Sequence, residues 1–207
     1  MPDIEYFYAA HSAFAYIGDR KLHDIAAAAD ARIIHKPFDL RRLMNAIGGA
    51  ANAMTPERRS YFSRREIERW AAYRGLPIMR GVPVTHASDI TLSNCMLIAA
   101  AQAGEDVDRL AFAVMQAHWR AGADLAHRET LAEIAGHVEI AAEPLLEAAG
   151  TDAIRSSYEA NTAAAIARPM FGSPTYVVAG DMLSGQDHHE LVTEALREPF
   201  PDTWPKD

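Results

Sequence analysis

The sequence predicts an α/β protein in which the two ends of the chain form one sheet and a long helical segment lies between them. Three observations lead to this prediction. Strand patterns occur near residues 4–8, 31–38 and 174–184. Helix patterns fill most of residues 39–167, and one more helix pattern follows the last strand. Strand-rich ends around a helix-rich middle are expected when the middle is an insertion into one sheet-containing domain.

The first forty residues predict strand, helix, strand. Ile4 to Tyr8 (IEYFY) is short, aromatic and β-branched, which favours a buried strand. Ser12 precedes apolar residues at helical spacing, and serine is a preferred N-cap residue. Residues 31–38 (ARIIHKPF) predict the second strand, with Pro37 near its end or at a sheet edge.

The middle of the chain predicts helices. Thr55-Pro56-Glu57 is a strong helix start, and Gly75 is expected to end that helix. The arginines between them alternate with glutamates, which is typical of a solvated helix face. Further helices are expected at residues 90–103, 106–119, 128–137, 143–149 and 152–167.

Strands return near the end of the chain. Residues 174–179 and 182–184 predict a hairpin with Gly180-Asp181 as its two-residue turn. A helix is expected at 188–197, with Asp187 as its N-cap. The order βαβ, all-helical insertion, ββα is that of a thioredoxin-like domain. We therefore expect a discontinuous thioredoxin-like domain formed by residues 1–40 and 170–200. A helical insertion domain is expected at residues 41–169, and a short tail at residues 201–207.

Composition excludes several classes of function. The chain has 207 residues, a formal net charge of −8 and one cysteine, Cys95. An internal disulfide and a multi-cysteine metal site are therefore impossible. The net negative charge disfavours binding to the phosphate backbone of nucleic acids. No apolar run reaches the ~18–20 residues that a membrane helix needs. Met1 to Glu5 show no secretory pattern, so we expect a cytoplasmic protein without a nucleic-acid or membrane partner.

Ser12 occupies the position at which redox-active proteins of this fold carry the first cysteine of C-x-x-C. Here the sequence is Ser12-Ala13-Phe14-Ala15. Disulfide exchange needs a sulfur nucleophile, so dithiol catalysis at this position is excluded. A hydroxyl at a helix N-terminus can donate to a ligand thiolate and lower its pKa. The alternative is that Ser12 only caps the helix.

Two further segments converge with Ser12 in such a fold. Pro174 opens a strand after Ser173, and in this context we expect it to be cis, so that an extended peptide can pair with the Ser173 backbone. The alternative is a tight turn with a trans proline. At the start of the last helix, Asp187 can pair with a ligand ammonium or act as a cap, and Gln186 can bind an amide or carboxylate.

Four motifs, taken together and in order, resemble the 2-hydroxychromene-2-carboxylate isomerase family, bacterial relatives of the kappa-class glutathione transferases. The resemblance covers nearly the whole chain. The matching segments are Ser12-Ala13-Phe14-Ala15-Tyr16 (family S-P-[FY]-S-Y), Arg69-Trp70-Ala71 with Gly75-Leu76-Pro77 (R-W-A…G-[LIV]-P), Phe171-Gly172-Ser173-Pro174-Thr175 (F-G-V-P-T) and Gly185-Gln186-Asp187 (G-[QN]-D).

The resemblance implies a glutathione-dependent isomerase or transferase. Ser12 aligns with the serine that holds the glutathione sulfur. Ser173, beside Pro174, aligns with the residue that pairs with the cysteinyl part through its backbone. Gln186 and Asp187 align with residues that bind the γ-glutamyl end. The implied reaction is thiolate addition to an unsaturated, aromatic-derived substrate, bond rotation and thiol loss.

The glutathione-binding set further includes Asn52, and we expect no metal. The chain departs from the family pattern at Ala13, Ser173, Ser184 and His188. No basic residue for an anionic aromatic substrate is expected between the second strand and Thr55. Two alternatives stay open: a non-catalytic thioredoxin-fold binding protein, and a thiol oxidoreductase relative.

The family resemblance also implies a homodimer. A small helical insertion has a high surface-to-volume ratio, so some of its large apolar side chains are expected near the surface. A symmetric dimer would cover them. The alternative is that they pack inside the protein. The side chains concerned are Tyr61, Phe62, Trp70, Tyr73, Phe112, Met115 and Trp119.

Overall fold

The computed structural model describes residues 1–48 and 55–201 and confirms the α/β, thioredoxin-like arrangement. One four-stranded sheet has the order β2-β1-β3-β4. β1 pairs with β2 in parallel, whereas the β1–β3 and β3–β4 pairs are antiparallel. Because β1 and β3 come from opposite ends of the chain, the sheet forms only when both ends meet. The strands are β1 (Asp3–Tyr8), β2 (Arg32–Pro37), β3 (Thr175–Val178) and β4 (Asp181–Ser184).

Helices account for most of the rest of the described chain. The bounds of α7 and α9 are those that the sequence predicts, whereas α2 and a π-helical stretch, Tyr61–Glu66, were not expected. A 3₁₀ turn, Val84–Ala87, precedes α5. The α-helices are α1 (Ala13–Ala28), α2 (Leu40–Ala46), α3 (Pro56–Ser60), α4 (Ile67–Tyr73), α5 (Thr91–Ala103), α6 (Val107–Ala121), α7 (Arg128–His137), α8 (Ala142–Ala149), α9 (Asp152–Ala167) and α10 (His189–Arg197).

The two central strands, β1 and β3, are buried on both faces of the sheet, and their successive side chains alternate between these faces. Tyr6 stacks on Tyr8 and on Tyr176, with ring centroids 4.3 Å and 5.6 Å apart, on the face toward α1 and the main core. Phe7 and Val177 point to the other face, where a smaller core forms. The main core is continuous from the sheet into the helical insertion, so the division into two domains stays a prediction.

The hairpin turn lies one residue earlier than predicted. Val178 pairs with Asp181, so the turn is Ala179-Gly180 and not Gly180-Asp181. Both turn residues have positive φ, 51° and 90°, the combination that a type I′ turn requires. Ala179 adopts this conformation because the strand pairing on either side fixes the register.

No helix in the described residues combines the length and apolar character needed to cross a membrane.

Candidate active site

Ser12 stands immediately before α1, and its hydroxyl contacts two backbone groups. Its Oγ accepts a hydrogen bond from the Ala15 N–H at 3.2 Å, which confirms the predicted N-cap. The same hydroxyl donates to the carbonyl oxygen of Ser173 at 3.0 Å. Ser12 therefore joins the start of the helix to the loop before β3.

The loop before β3 contains the predicted cis peptide bond, between Ser173 and Pro174. The Ser173 hydroxyl accepts a hydrogen bond from the Ala9 N–H at 3.1 Å. Two hydrogen bonds thus tie this loop to the two ends of the segment Ala9–Ser12. The polar Ser173, where the family pattern has an aliphatic residue, has a structural role here, and its carbonyl is already engaged by Ser12.

Asn94 and Trp119, which the sequence did not single out for the site, hold the segment Ala9–Ser12 by hydrogen bonds to its backbone. The side chain of Asn94, fully buried in α5, accepts from the Ala10 N–H at 3.0 Å and donates to the Phe38 carbonyl at 3.2 Å. The Trp119 indole donates to the His11 carbonyl at 3.0 Å. Their partners are backbone groups far away in sequence, so no local pattern indicates them. Together these contacts preorganise the position of Ser12.

Gln186 and Asp187 lie in different environments. Gln186 is 1% exposed, and its Cβ packs so closely on α1 that a Cβ added at Gly18 would lie 2.7 Å away. Its side chain therefore packs against the core, and its amide oxygen has no hydrogen-bond partner among the described residues, so its role in ligand binding stays a prediction. Asp187 is exposed, and the prediction that it caps α10 is wrong. His188 takes the cap position instead, and its ring is hydrogen-bonded to the Ser184 carbonyl.

Asp187 lines a cleft of about 540 Å³ between residues 66–74 and the start of α10, to which α1 contributes Lys21. The Arg74 guanidinium lies over two aromatic rings of this cleft, 5.7 Å from the Trp70 centroid and 5.8 Å from the Tyr73 centroid. Both signs of charge are present, so a zwitterionic ligand has partners here. The lining residues are Lys21, Glu66, Arg69, Trp70, Tyr73, Arg74, Asp187, His189 and Glu190.

Three histidines form a cluster that the sequence did not indicate. The ring of His11, the residue before Ser12, lies 4.7 Å from the ring of His86 and 6.4 Å from that of His118. His86 Nδ1 and His118 Nε2 are 3.0 Å apart. Burial, helped by the neighbouring histidines and Arg41, lowers the pKa of His11 to about 3 and that of His86 to about 4. The cluster is neutral at physiological pH.

Arg41, in α2, brings a positive charge beside this cluster. Its guanidinium donates to the carbonyls of His86 and Ser88, at 3.2 Å and 3.0 Å. Arg41 is thus a basic residue between β2 and Thr55, in a helix that the sequence did not predict, and its partners in the structure are backbone carbonyls. The expectation that this segment offers no basic residue to an anionic aromatic substrate stays a prediction.

Asn52 lies outside the described residues, so its role stays a prediction. Cys95 is buried, and burial raises the pKa of its thiol to about 11, which agrees with an inert thiol. Among the residues with a described structure, no group of His, Cys, Asp and Glu side chains could hold a metal ion, the histidine cluster included.

The chain is similar over nearly its whole length to curated isomerases and to solved structures of the same fold. Proteins named 2-hydroxychromene-2-carboxylate isomerase from Pseudomonas putida and Sphingobium xenophagum are 26% and 25% identical over 200 and 197 residues. These alignments cover 93% of this chain, and 93% and 97% of the two relatives. The structure of a 2-hydroxychromene-2-carboxylate isomerase superimposes with a TM-score of 0.80 at 21% identity and 94% coverage of each chain.

Proteins with redox names share the fold as well. A cytosolic disulfide reductase from Pseudomonas aeruginosa, solved with GSH, superimposes with a TM-score of 0.63 at 15% identity, covering 95% of this chain and 93% of that one. The model of the DSBA-like thioredoxin domain matches residues 3–197. That match spans nearly the entire chain, and the observed βαβ and ββα units around a helical insertion are the architecture it describes. The chain belongs to the DSBA-like thioredoxin domain family.

Proposed function

We propose that the protein is a glutathione-dependent isomerase or transferase, and that Ser12 stabilises the glutathione thiolate. The observation that carries the proposal is the Ser12 hydroxyl at the N-terminus of α1, held against the loop of cis-Pro174. The one cysteine of the chain is buried in α5. Reactive sulfur at this position therefore has to come from the ligand. The isomerase names of the relatives support the same reaction class.

The two hydrogen bonds of Ser12 support this role. At present the hydroxyl hydrogen points to the Ser173 carbonyl. A thiolate at the helix N-terminus competes for that hydrogen, and a charged acceptor forms the stronger hydrogen bond. The free N–H groups and partial positive charge of the first turn of α1 add to the attraction. Both effects lower the pKa of the bound thiol.

Other residues of the site suit the remaining parts of glutathione. Ser173, next to Pro174, offers backbone groups to the cysteinyl part, although its carbonyl is shared with Ser12. In the cleft, the Asp187 carboxylate suits the γ-glutamyl ammonium, and the basic residues Lys21 and Arg74 suit a carboxylate. Gln186 supports this site from inside by packing on α1. Asn52 remains part of the proposed glutathione set.

The proposed substrate is a small, unsaturated, aromatic-derived carbonyl compound. The thiolate sulfur forms a bond to the conjugated carbon, and the π-electron pair of the C=C bond moves to the carbonyl oxygen. Rotation about the resulting single bond follows. The C–S bond then breaks, the double bond re-forms and the thiolate is released unchanged. A cytoplasmic location agrees with this chemistry, because the cytosol holds a reduced glutathione pool.

Titration calorimetry with glutathione tests the proposal, together with ultraviolet absorbance of the bound thiolate. We expect glutathione to bind and to ionise below its ordinary thiol pKa. S-methylglutathione is the matched ligand without an ionisable thiol, and it should bind without a thiolate signal. If glutathione does not bind, the alternative of a non-catalytic thioredoxin-fold binding protein is favoured.

A further inference from the structure

We infer that His86 takes the proton from the bound thiol, and that His118 is a positioning residue that fixes the tautomer of His86. This inference rests on the proposed function and extends it to a residue outside the resemblance to known isomerases. It is carried by a hydrogen-bonded chain of three groups, from a backbone carbonyl through His118 to His86, at the side of His11, the residue before Ser12.

The direction of the hydrogen bonds in this chain follows from its end. The Ala123 carbonyl can only accept, and it lies 2.9 Å from His118 Nδ1, so that nitrogen carries the hydrogen. Burial lowers the pKa of His118, so the ring is neutral and its Nε2 is an acceptor. His86 Nδ1, 3.0 Å away, must then be the donor. A neutral His86 is left with an unprotonated Nε2, which is the form that accepts a proton.

The loop that carries His86 is held in place from both sides. The Thr85 hydroxyl lies 3.0 Å from the Gly122 carbonyl and donates to it. Arg41 donates to the carbonyl of His86 itself. The groups that face the His86 ring are His11, His118, Arg41 and the edge of Trp119, whose centroid is 5.3 Å away. Of these none is acidic, so the strongest partner for a protonated His86 would be an anion brought by the ligand.

The proton step is balanced within the site. The S–H bond of the bound thiol breaks, the proton moves to His86 Nε2, and the electron pair stays on sulfur. The result is a thiolate beside an imidazolium whose Nδ1–H remains hydrogen-bonded to His118. When the thiolate leaves at the end of the reaction, His86 returns the proton to sulfur. No oxidant, reductant or further reactant is needed.

Nitrogen NMR of the ligand-free protein tests the tautomer independently of any activity. In the wild type we expect His86 with Nδ1 protonated and Nε2 unprotonated. His118→Gln should keep this state, because an amide can donate to Ala123 through nitrogen and accept from His86 through oxygen. His118→Leu removes the acceptor, and His86 should then shift toward the Nε2-protonated form. The same mixed tautomer in wild type and in both variants would overturn the positioning role.

Proton counting tests the transfer itself. Glutathione binding is measured by calorimetry at pH 7 in buffers of different ionisation enthalpy, and thiolate formation by ultraviolet absorbance. The wild type should form thiolate with little proton release, because the adjacent thiolate charge should raise the pKa of His86 from about 4 in the ligand-free protein and keep the proton on the imidazole. His86→Gln should release one proton for each thiolate that it forms. His127→Gln, an exposed histidine at the start of α7, is the matched control and should behave like the wild type.

The outcomes separate the two proposals. If the wild type forms thiolate but releases one proton for each, as His86→Gln does, glutathione activation stands and the role of His86 is wrong. If no thiolate forms in any variant, the proposed function itself is wrong, and the proton-transfer role falls with it. In that second case the NMR result still decides whether His118 fixes the tautomer of His86.

Discussion

Replacing Ser12 by Ala removes a single oxygen atom that has two partners in the structure. The Ala15 N–H loses its cap, which typically costs ~0.5–2 kcal/mol. The Ser173 carbonyl loses its donor, which costs about 1 kcal/mol at a partly buried site. We expect the free energy of unfolding to fall by roughly 1.5–3 kcal/mol in total, measured by chemical denaturation without glutathione.

The same substitution should also raise the pKa of bound glutathione. A hydrogen bond to a charged group contributes ~1.5–3 kcal/mol, so the thiol pKa should increase by about one to two units. Ultraviolet titration of the thiolate at saturating glutathione measures this shift.

Thr151→Ala is a closely matched control. Thr151 caps α9, which has 16 residues like α1, and its hydroxyl likewise accepts from a backbone N–H and donates to a carbonyl. It should lose a similar amount of stability and leave the glutathione pKa unchanged. If Ser12→Ala loses stability with no change in the thiol pKa, Ser12 is only a cap and the catalytic reasoning is refuted.

Three further predictions concern the core, the pH dependence and the assembly. Asn94→Leu should lower the free energy of unfolding by about 1–3 kcal/mol, because it leaves two buried backbone groups without partners; a change under ~0.5 kcal/mol in chemical denaturation would contradict this. The pKa values of His11 and His86 are near 6.5 in the unfolded chain but about 3 and about 4 in the folded chain. The free energy of unfolding should therefore fall as the pH drops from about 6.5 towards 3. His86→Gln should flatten the decline, and an unchanged slope in pH-dependent thermal melts would count against it. Light scattering should find the wild type as a dimer, at twice the chain mass of 22.7 kDa. Phe62 is 47% exposed, and Phe62→Asp should convert the dimer to a monomer. A monomeric wild type at high concentration would reject the dimer.

Five of the seven apolar residues behind the dimer prediction lie at the extremes of exposure and burial, and Trp70 and Phe112 are half-buried. Tyr61, Phe62 and Tyr73 are between 47% and 78% exposed. Met115 and Trp119 are fully or almost fully buried in the main core and leave no surface for a partner. The sequence correctly indicated a surplus of large apolar side chains in the insertion. The burial of Met115 and Trp119 depends on the packing of α6 against α1 and the rest of the core, whereas Tyr61, Phe62 and Tyr73 lie in the separate helical segment that ends at Tyr73.

Local interactions explain what the sequence determined by itself. The caps at Ser12 and Thr55 join a side chain to a backbone N–H three residues later, so a short motif is enough to predict them. The spacing of apolar residues likewise predicts the strands and helices from short segments of sequence. The final hairpin and helix gave the context that predicted the cis peptide bond before Pro174. Composition alone excluded dithiol chemistry, because no cysteine lies at the start of α1.

The tertiary structure alone decided the surroundings of Ser12. His11, His86 and His118 come from a loop, a 3₁₀ turn and the last turn of α6, and only folding of the insertion against the start of α1 places their rings together. Asn94 reaches the site from a buried helix in the same way, and Gln186 turns inward because α1 offers a glycine opposite it. Such contacts form between segments distant in sequence, and their partners are chosen by packing geometry once the core has closed. Residue type and spacing, which are all that a single sequence contains, do not encode that geometry locally.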